Sequence, residues 1–111
     1  MIENIGIDIV ENKRVNLRQN FLNKVLTKDE LEKLSTLSSK KAKIEFVAGR
    51  WAVKESIIKT LKNNEVLPMS KINIGYLEKT PIILNKGLTN ILISISHEKK
   101  YSVGMAVKKN D

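Results

Sequence analysis

The chain has no cysteine and a single histidine. Disulfides and thiolate metal sites are therefore excluded, as is a zinc site built from several histidines of one chain. Aromatic residues make up only 5% of the sequence and arginine is confined to Arg14, Arg18 and Arg50. That is poor equipment for nucleic-acid binding, which relies on aromatic platforms or arginine-rich contacts. No apolar run approaches the roughly 20 residues of a membrane span. The start, MIENIGIDIVE, lacks the basic opening and long apolar stretch of a signal peptide. Repeats, low-complexity tracts and linkers are also missing. The expectation is a cytoplasmic protein without a membrane or nucleic-acid partner.

What remains is one ordinary domain, 1–111, with 41% hydrophobic and 29% charged residues. Its net charge of +8 favours anionic partners: phosphorylated cofactors, nucleic acid, anionic lipid or an acidic protein. Nearly all of that charge is lysine, and isoleucine and asparagine are also abundant. Genome-wide compositional bias produces the same mixture.

Periodicity organises the chain. NIGIDIV (4–10) alternates as a strand, with Ile5, Ile7 and Ile9 on one face and Gly6, Asp8 and Val10 on the other. A short helical or irregular basic stretch follows. Thr27 and Glu30 form a capping box for a helix over 28–37. Ser38 or Ser39 caps a long helix over 40–62. On that helix Ile44, Val47, Ala48, Trp51 and Ile58 fall along one stripe, and Phe46, Val53 and Ile57 along the opposite one. A helix apolar on two sides is sandwiched between layers or between subunits. The remainder reads as short strands, KINIGYL and PIIL, then ILISIS (91–96) and YSVGMAV (101–107). Strand, helices, then several strands make an α+β domain.

Three features carry possible chemistry: Asp8 in mid-strand, Glu55 in the middle of an apolar helical stripe, and His97 at a strand end. Singly, each has an ordinary explanation: a solvated strand face, an i,i+4 pairing with Lys59, a surface turn. The two carboxylates, Asp8 and Glu55, together offer an oxygen-only site for a hard divalent cation, Mg²⁺ above all. Arg50, Lys54 and Lys59 add cations on the same helix. A carboxylate pair with cations suits a polyphosphate substrate. No Walker loop or Rossmann glycine pattern is present.

The segments IGIDIVE (5–11), FVAGRWAVKESIIKTL (46–61) and ISISHEKKYSVGMAV (93–107) resemble the three signature blocks of holo-[acyl-carrier-protein] synthases, small 4′-phosphopantetheinyl transferases. The order and spacing match, and the similarity runs essentially end to end. The resemblance implies an antiparallel sheet packed on one long helix with short helices beside it. It implies Mg²⁺-dependent transfer of 4′-phosphopantetheine from coenzyme A to a serine of apo acyl carrier protein, releasing adenosine 3′,5′-bisphosphate. It also implies a homotrimer with active sites between subunits. By motif position Asp8 and Glu55 would bind the metal, and Lys59 would lie near the pyrophosphate. Arg50, Ser96 and His97 would hold coenzyme A phosphates, with Lys54 as a further phosphate contact. Glu55 and Lys59 would be the catalytic pair, Glu55 taking the serine proton directly or through a metal-bound water. Arg14, with Lys13 and Arg18 beside it, would meet the acidic carrier protein.

Two turns depart from the family pattern. Lys62-Asn63-Asn64 replaces a glycine-threonine-glycine turn, and Lys79-Thr80-Pro81 replaces a glycine-lysine-proline turn. The competing readings are a basic nucleic-acid-binding module and a catalytically silent relative.

Overall fold

Strand β1 (Ile2–Glu11) opens the chain and, in a computed structural model describing residues 1–110, forms one edge of a three-stranded antiparallel sheet. Helices α1 (Gln19–Val25), α2 (Lys28–Ser35) and α3 (Lys40–Ile58) follow. A hairpin of β2 (Ile74–Leu77) and β3 (Thr80–Ile83) comes next, then β4 (Ile91–His97) and β5 (Tyr101–Lys109). The larger sheet has the order β1-β5-β4. The expected α+β architecture, a sheet on one long helix with short helices beside it, is the one observed.

Both cap motifs form. The Thr27 hydroxyl accepts from the Glu30 amide, and the Glu30 carboxylate accepts from the Thr27 amide. Ser39 caps α3 by accepting from the Ala42 amide. The helix is shorter than predicted. Its last turn tightens into i→i+3 bonds from the Thr60 and Leu61 amides to Ile57 and Ile58, a common way to satisfy terminal carbonyls. The basic stretch resolves into a 3-10 turn (Asn12–Arg14), an extended segment and α1.

Helix α3 is sandwiched within the chain. On the sheet side Val53 and Ile57 join Ile72, Ile91, Ile93 and Ala106 in the main core. On the other side Val47 packs with Leu22, Val25, Leu26 and Leu34 of the short helices. Complete burial of a side chain such as Ile57 stabilises the fold by about 1.5–3 kcal/mol. Both apolar stripes are therefore used between layers of the one chain.

The sheet does leave one. Its register builds three outward rows: Ile5–Val107–Leu92, Ile7–Met105–Ser94 and Ile9–Val103–Ser96. Ile7 and Ile9 are each 60% exposed and Leu92 is 56% exposed. The isoleucine face of β1 thus points away from α3, and the face bearing Gly6, Asp8 and Val10 lies against it.

That inward choice rests on glycine. A Cβ at Gly6 would stand 2.0 Å from the Ser56 carbonyl oxygen, and one at Gly104 would stand 2.3 Å from the Val53 backbone. Only residues without side chains let β1 and β5 approach the α3 backbone so closely. No helix among the described residues is long and apolar enough to cross a membrane.

Candidate active site

The close approach decides where Asp8 goes. Asp8 pairs with Gly104 across the ladder, and Gly104 rests on Ala52 and Val53 of α3. Two residues earlier, Gly6 rests on Ser56, with the Lys59 Cβ 3.2 Å from its own absent one. Asp8 is thereby set against the stretch of α3 that carries Glu55 and leads to Lys59. Lys59 Nζ donates to the Ile7 carbonyl at 2.7 Å and to Asp8 Oδ1 at 3.3 Å. Asp8 is 24% exposed and Lys59 52% exposed, so the pair borders solvent.

Glu55 is half-buried on α3, not sunk in the core as its stripe position implied. Among the described residues its carboxylate joins no ion pair. No group of three or more His, Asp or Glu side chains gathers among the described residues. Asp8 and Glu55 thus offer two partly exposed carboxylates. That fits Mg²⁺, which takes one or two carboxylates and fills its remaining positions with water and substrate phosphate.

Lys54 departs from the phosphate-contact expectation. It is fully buried on the side of α3 that faces α1 and α2. Its ammonium donates to Glu30 Oε1 at 2.5 Å, to the Val25 carbonyl at 2.7 Å and to the Met69 carbonyl at 3.0 Å. All three donors are spent inside the fold, so no proton is left for a phosphate. Burial lowers its pKa to about 8, against the pull of Glu30. Glu30 serves as a hub: its other oxygen accepts from the Ile74 amide at 3.0 Å and lies 3.6 Å from Arg50 Nε. The capping box was legible in sequence; the use of the same carboxylate as counter-ion was not.

Arg50 is 7% exposed and its guanidinium lies 3.8 Å above the Phe46 ring. Its Nε is buried without a hydrogen-bond partner. Burial lowers its pKa, opposed by Glu30 and then by Tyr76. With Asp29, Lys33, Asn73 and Tyr76 it lines a cavity of about 300 Å³. His97 lies over Gly49, the preceding residue of α3: a Cβ there would stand 2.5 Å from its Cε1. Burial holds the His97 pKa below its ordinary value; Glu45 raises it and Arg50 lowers it. Arg50 and His97 are thus neighbours, roughly 8 Å along the helix axis from Glu55 at 1.5 Å per residue.

Ser96 is not brought to them. Successive strand residues alternate faces, and Ser96 stands in the outward row with Ile9 and Val103 while His97 faces inward. Within one chain these two predicted phosphate contacts lie on opposite sides of the sheet.

Arg14 and Arg18 border a separate open hollow of about 650 Å³ with Lys13 and Lys40. The Arg14 guanidinium stacks 4.8 Å over the Trp51 ring, and Phe21 meets that ring edge-on at 5.2 Å. Trp51 is covered in this way and presents no free platform. An adjoining cavity of about 360 Å³ is lined by Lys13, Lys40, Lys41 and Lys99. Of these lysines the sequence singled out Lys13 alone, because only the fold brings 13, 40 and 99 together. For the others the one sequence signal is the overall positive charge.

The chain belongs to the 4′-phosphopantetheinyl transferase superfamily, whose profile matches residues 4–107. Within that superfamily, the proteins it resembles in sequence and structure are holo-[acyl-carrier-protein] synthases. The enzyme of that name from Mycoplasma mycoides subsp. mycoides is 57% identical over 111 residues, covering 100% of this chain and 98% of the relative. That from Petrotoga mobilis is 37% identical, covering 96% of each. Among solved structures, a holo-(acyl-carrier-protein) synthase from Bacillus anthracis in complex with CoA (3′,5′-ADP) superposes with a TM-score of 0.86. It is 29% identical in sequence, with 100% of this chain and 99% of that one covered.

Proposed function

We propose that the chain transfers 4′-phosphopantetheine from coenzyme A to a serine hydroxyl of apo acyl carrier protein and releases adenosine 3′,5′-bisphosphate. The observation that carries this reading is the contact of Asp8 with Lys59, on the α3 segment one turn after Glu55. Strand β1 meets α3 there through Gly6 and Gly104, within a chain whose relatives bear the synthase name. Asp8 and Glu55 would hold Mg²⁺, which when bound neutralises diphosphate charge and orients the phosphorus under attack.

The chain's own residues do the rest. Lys59, steadied by the Ile7 carbonyl and Asp8, neutralises charge that builds on the departing phosphate. Glu55 takes the serine proton as the new oxygen–phosphorus bond forms and the bond to the nucleotide phosphate breaks. Arg50 and His97 hold a coenzyme A phosphate some way along the same helix. Arg14 and Arg18, on the basic hollow, attract the acidic carrier protein and speed its arrival.

The outward sheet face supports the trimer reading. Contiguous apolar surface of this kind is uncommon on monomers, and here it includes Ile5, Ile7, Ile9, Leu92 and Met105. A second copy of the chain is its fitting cover. Ser96 lies on that face, so in an assembly its phosphate contact is made toward the neighbouring copy.

Incubation with coenzyme A, Mg²⁺ and an apo acyl carrier protein, followed by intact-mass measurement, tests the reaction. The expected result is one phosphopantetheine added per carrier. An unchanged carrier mass across metals and carriers overturns the reading.

A further inference from the structure

The buried polar residues Asn12 and Ser102 take no part in the chemistry above, yet Ser102 meets His97 and Asn12 meets Ser102. The ladder sets Val10, Ser102 and His97 in one inward row, and Asn12 follows two residues after Val10. Ser102 is fully buried and Asn12 is 7% exposed. A buried hydroxyl and amide are costly in such a place unless their hydrogen bonds are met.

They are met in only one way. The Asn12 side-chain amide donates to the Glu98 carbonyl at 3.2 Å and to the Lys99 carbonyl at 3.3 Å. The flipped amide would face its oxygen toward two carbonyl oxygens, so Oδ1 points at Ser102 as an acceptor. The single Ser102 proton goes to Asn12 Oδ1, at 2.8 Å. Ser102 Oγ can then only accept from His97 Nδ1, also at 2.8 Å. Nδ1 must carry hydrogen, and Nε2 is left as the ring atom that gains or loses a proton. The Gly49 surface lies under the ring, 3.0 Å from Nε2 to a would-be Cβ, and Arg50 follows Gly49 on α3.

We infer that Asn12 and Ser102 are positioning residues: they hold His97 in the Nδ1–H tautomer and so present its Nε2, next to Arg50, to a phosphate of coenzyme A. This rests on the assignment of Arg50 and His97 as coenzyme A contacts. The chemistry matches a phosphate monoester, whose second ionisation lies near pH 6. Such a group shares one proton with a neutral imidazole lone pair, while Arg50 meets its remaining charge. Asn12 also locks the turn after β4, because its backbone N–H donates to the Lys100 carbonyl at 2.7 Å.

The lone histidine makes the test unambiguous. A two-bond ¹H–¹⁵N correlation spectrum of the whole protein at about pH 8, above the usual histidine pKa, reads the tautomer directly. Wild type should show a protonated Nδ1 and a bare Nε2. Ser102→Ala should move the population toward Nε2–H, the form a free imidazole side chain prefers, and Ser102→Thr should restore Nδ1–H. In steady-state transfer, Ser102→Ala should raise the KM for coenzyme A about five- to tenfold, the worth of one ordinary hydrogen bond, with a much smaller effect on kcat. A wild-type ring resting as Nε2–H, or a tautomer unmoved by Ser102→Ala, overturns the relay. The expected tautomers with an unmoved KM overturn its link to coenzyme A. Absence of transfer by the wild type would instead strike the proposed function, and the spectra would still judge the relay.

Discussion

Lys54, one residue before Glu55 in sequence, meets Glu30 at 2.5 Å, with the two side chains 0% and 2% exposed. The pair ties α3 to the first turn of α2, and Glu30 extends the tie to β2 through the Ile74 amide. Glu55 follows Lys54 in sequence, so this buried ion pair anchors the backbone from which Glu55 projects. Lys54 belongs to the machinery of the fold.

Lys54→Met should therefore act on stability. Removing one partner of a buried ion pair costs about 3–5 kcal/mol, because Glu30 keeps its charge with Arg50 Nε, at 3.6 Å, as the cation still paired with it. Denaturant melts should show the loss in the midpoint. The fraction that remains folded should keep its KM for coenzyme A; a raised KM with an unchanged midpoint would restore the phosphate-contact role.

Asp8→Ala and Glu55→Ala should do the reverse. Both side chains are partly exposed, so thermal midpoints should change little. Transfer should fall about 10²–10³-fold, the scale for removing a group that stabilises transition-state charge. Near-normal turnover in either variant would displace the metal assignment. Binding of Mn²⁺, followed by electron paramagnetic resonance, should weaken in both.

His97 has a pKa below its ordinary value, chiefly from burial. Above the unfolded value of about 6.5 the ring is neutral in both states and contributes nothing to the pH dependence. As pH falls through that value the unfolded chain takes up the proton first, so stability declines until the folded ring is also protonated. His97→Gln should flatten the fall of the thermal midpoint between about pH 7 and 5. An equally steep fall in the variant would place the acid sensitivity elsewhere.

The outward sheet face should govern assembly. Ile7→Lys puts a charge in the middle row, beside Met105, and should convert a trimer to monomers by sedimentation equilibrium while the helical circular dichroism persists. A wild-type monomer at all concentrations, or a trimer untouched by Ile7→Lys, would refute the assigned cover.

Charge reversal at Arg18 should raise the KM for the carrier protein and weaken the salt dependence of its association, with the KM for coenzyme A unaltered. Stopped-flow association at two ionic strengths separates these effects.

The α+β order, the Thr27–Glu30 box, a serine cap at 38 or 39, and the placing of Asp8 on a strand and Glu55 on the long helix were legible in the chain. Each depends on local spacing: period 2 in a strand, 3.6 in a helix, three residues in a capping box. Three contiguous blocks carried the family resemblance. What the linear sequence left open was which face of each element turns inward. The isoleucines of β1 are its most apolar residues and they face outward, because Gly6 and Gly104 alone allow the backbone contact with α3. Lys54 and Glu55 adjoin in sequence, yet tertiary packing seals one against Glu30 and leaves the other at the edge of solvent. Ser96 and His97 adjoin as well and part to opposite faces of the sheet. Burial of a charge or hydroxyl depends on partners 24 to 90 residues away, and only the folded chain brings those partners within reach.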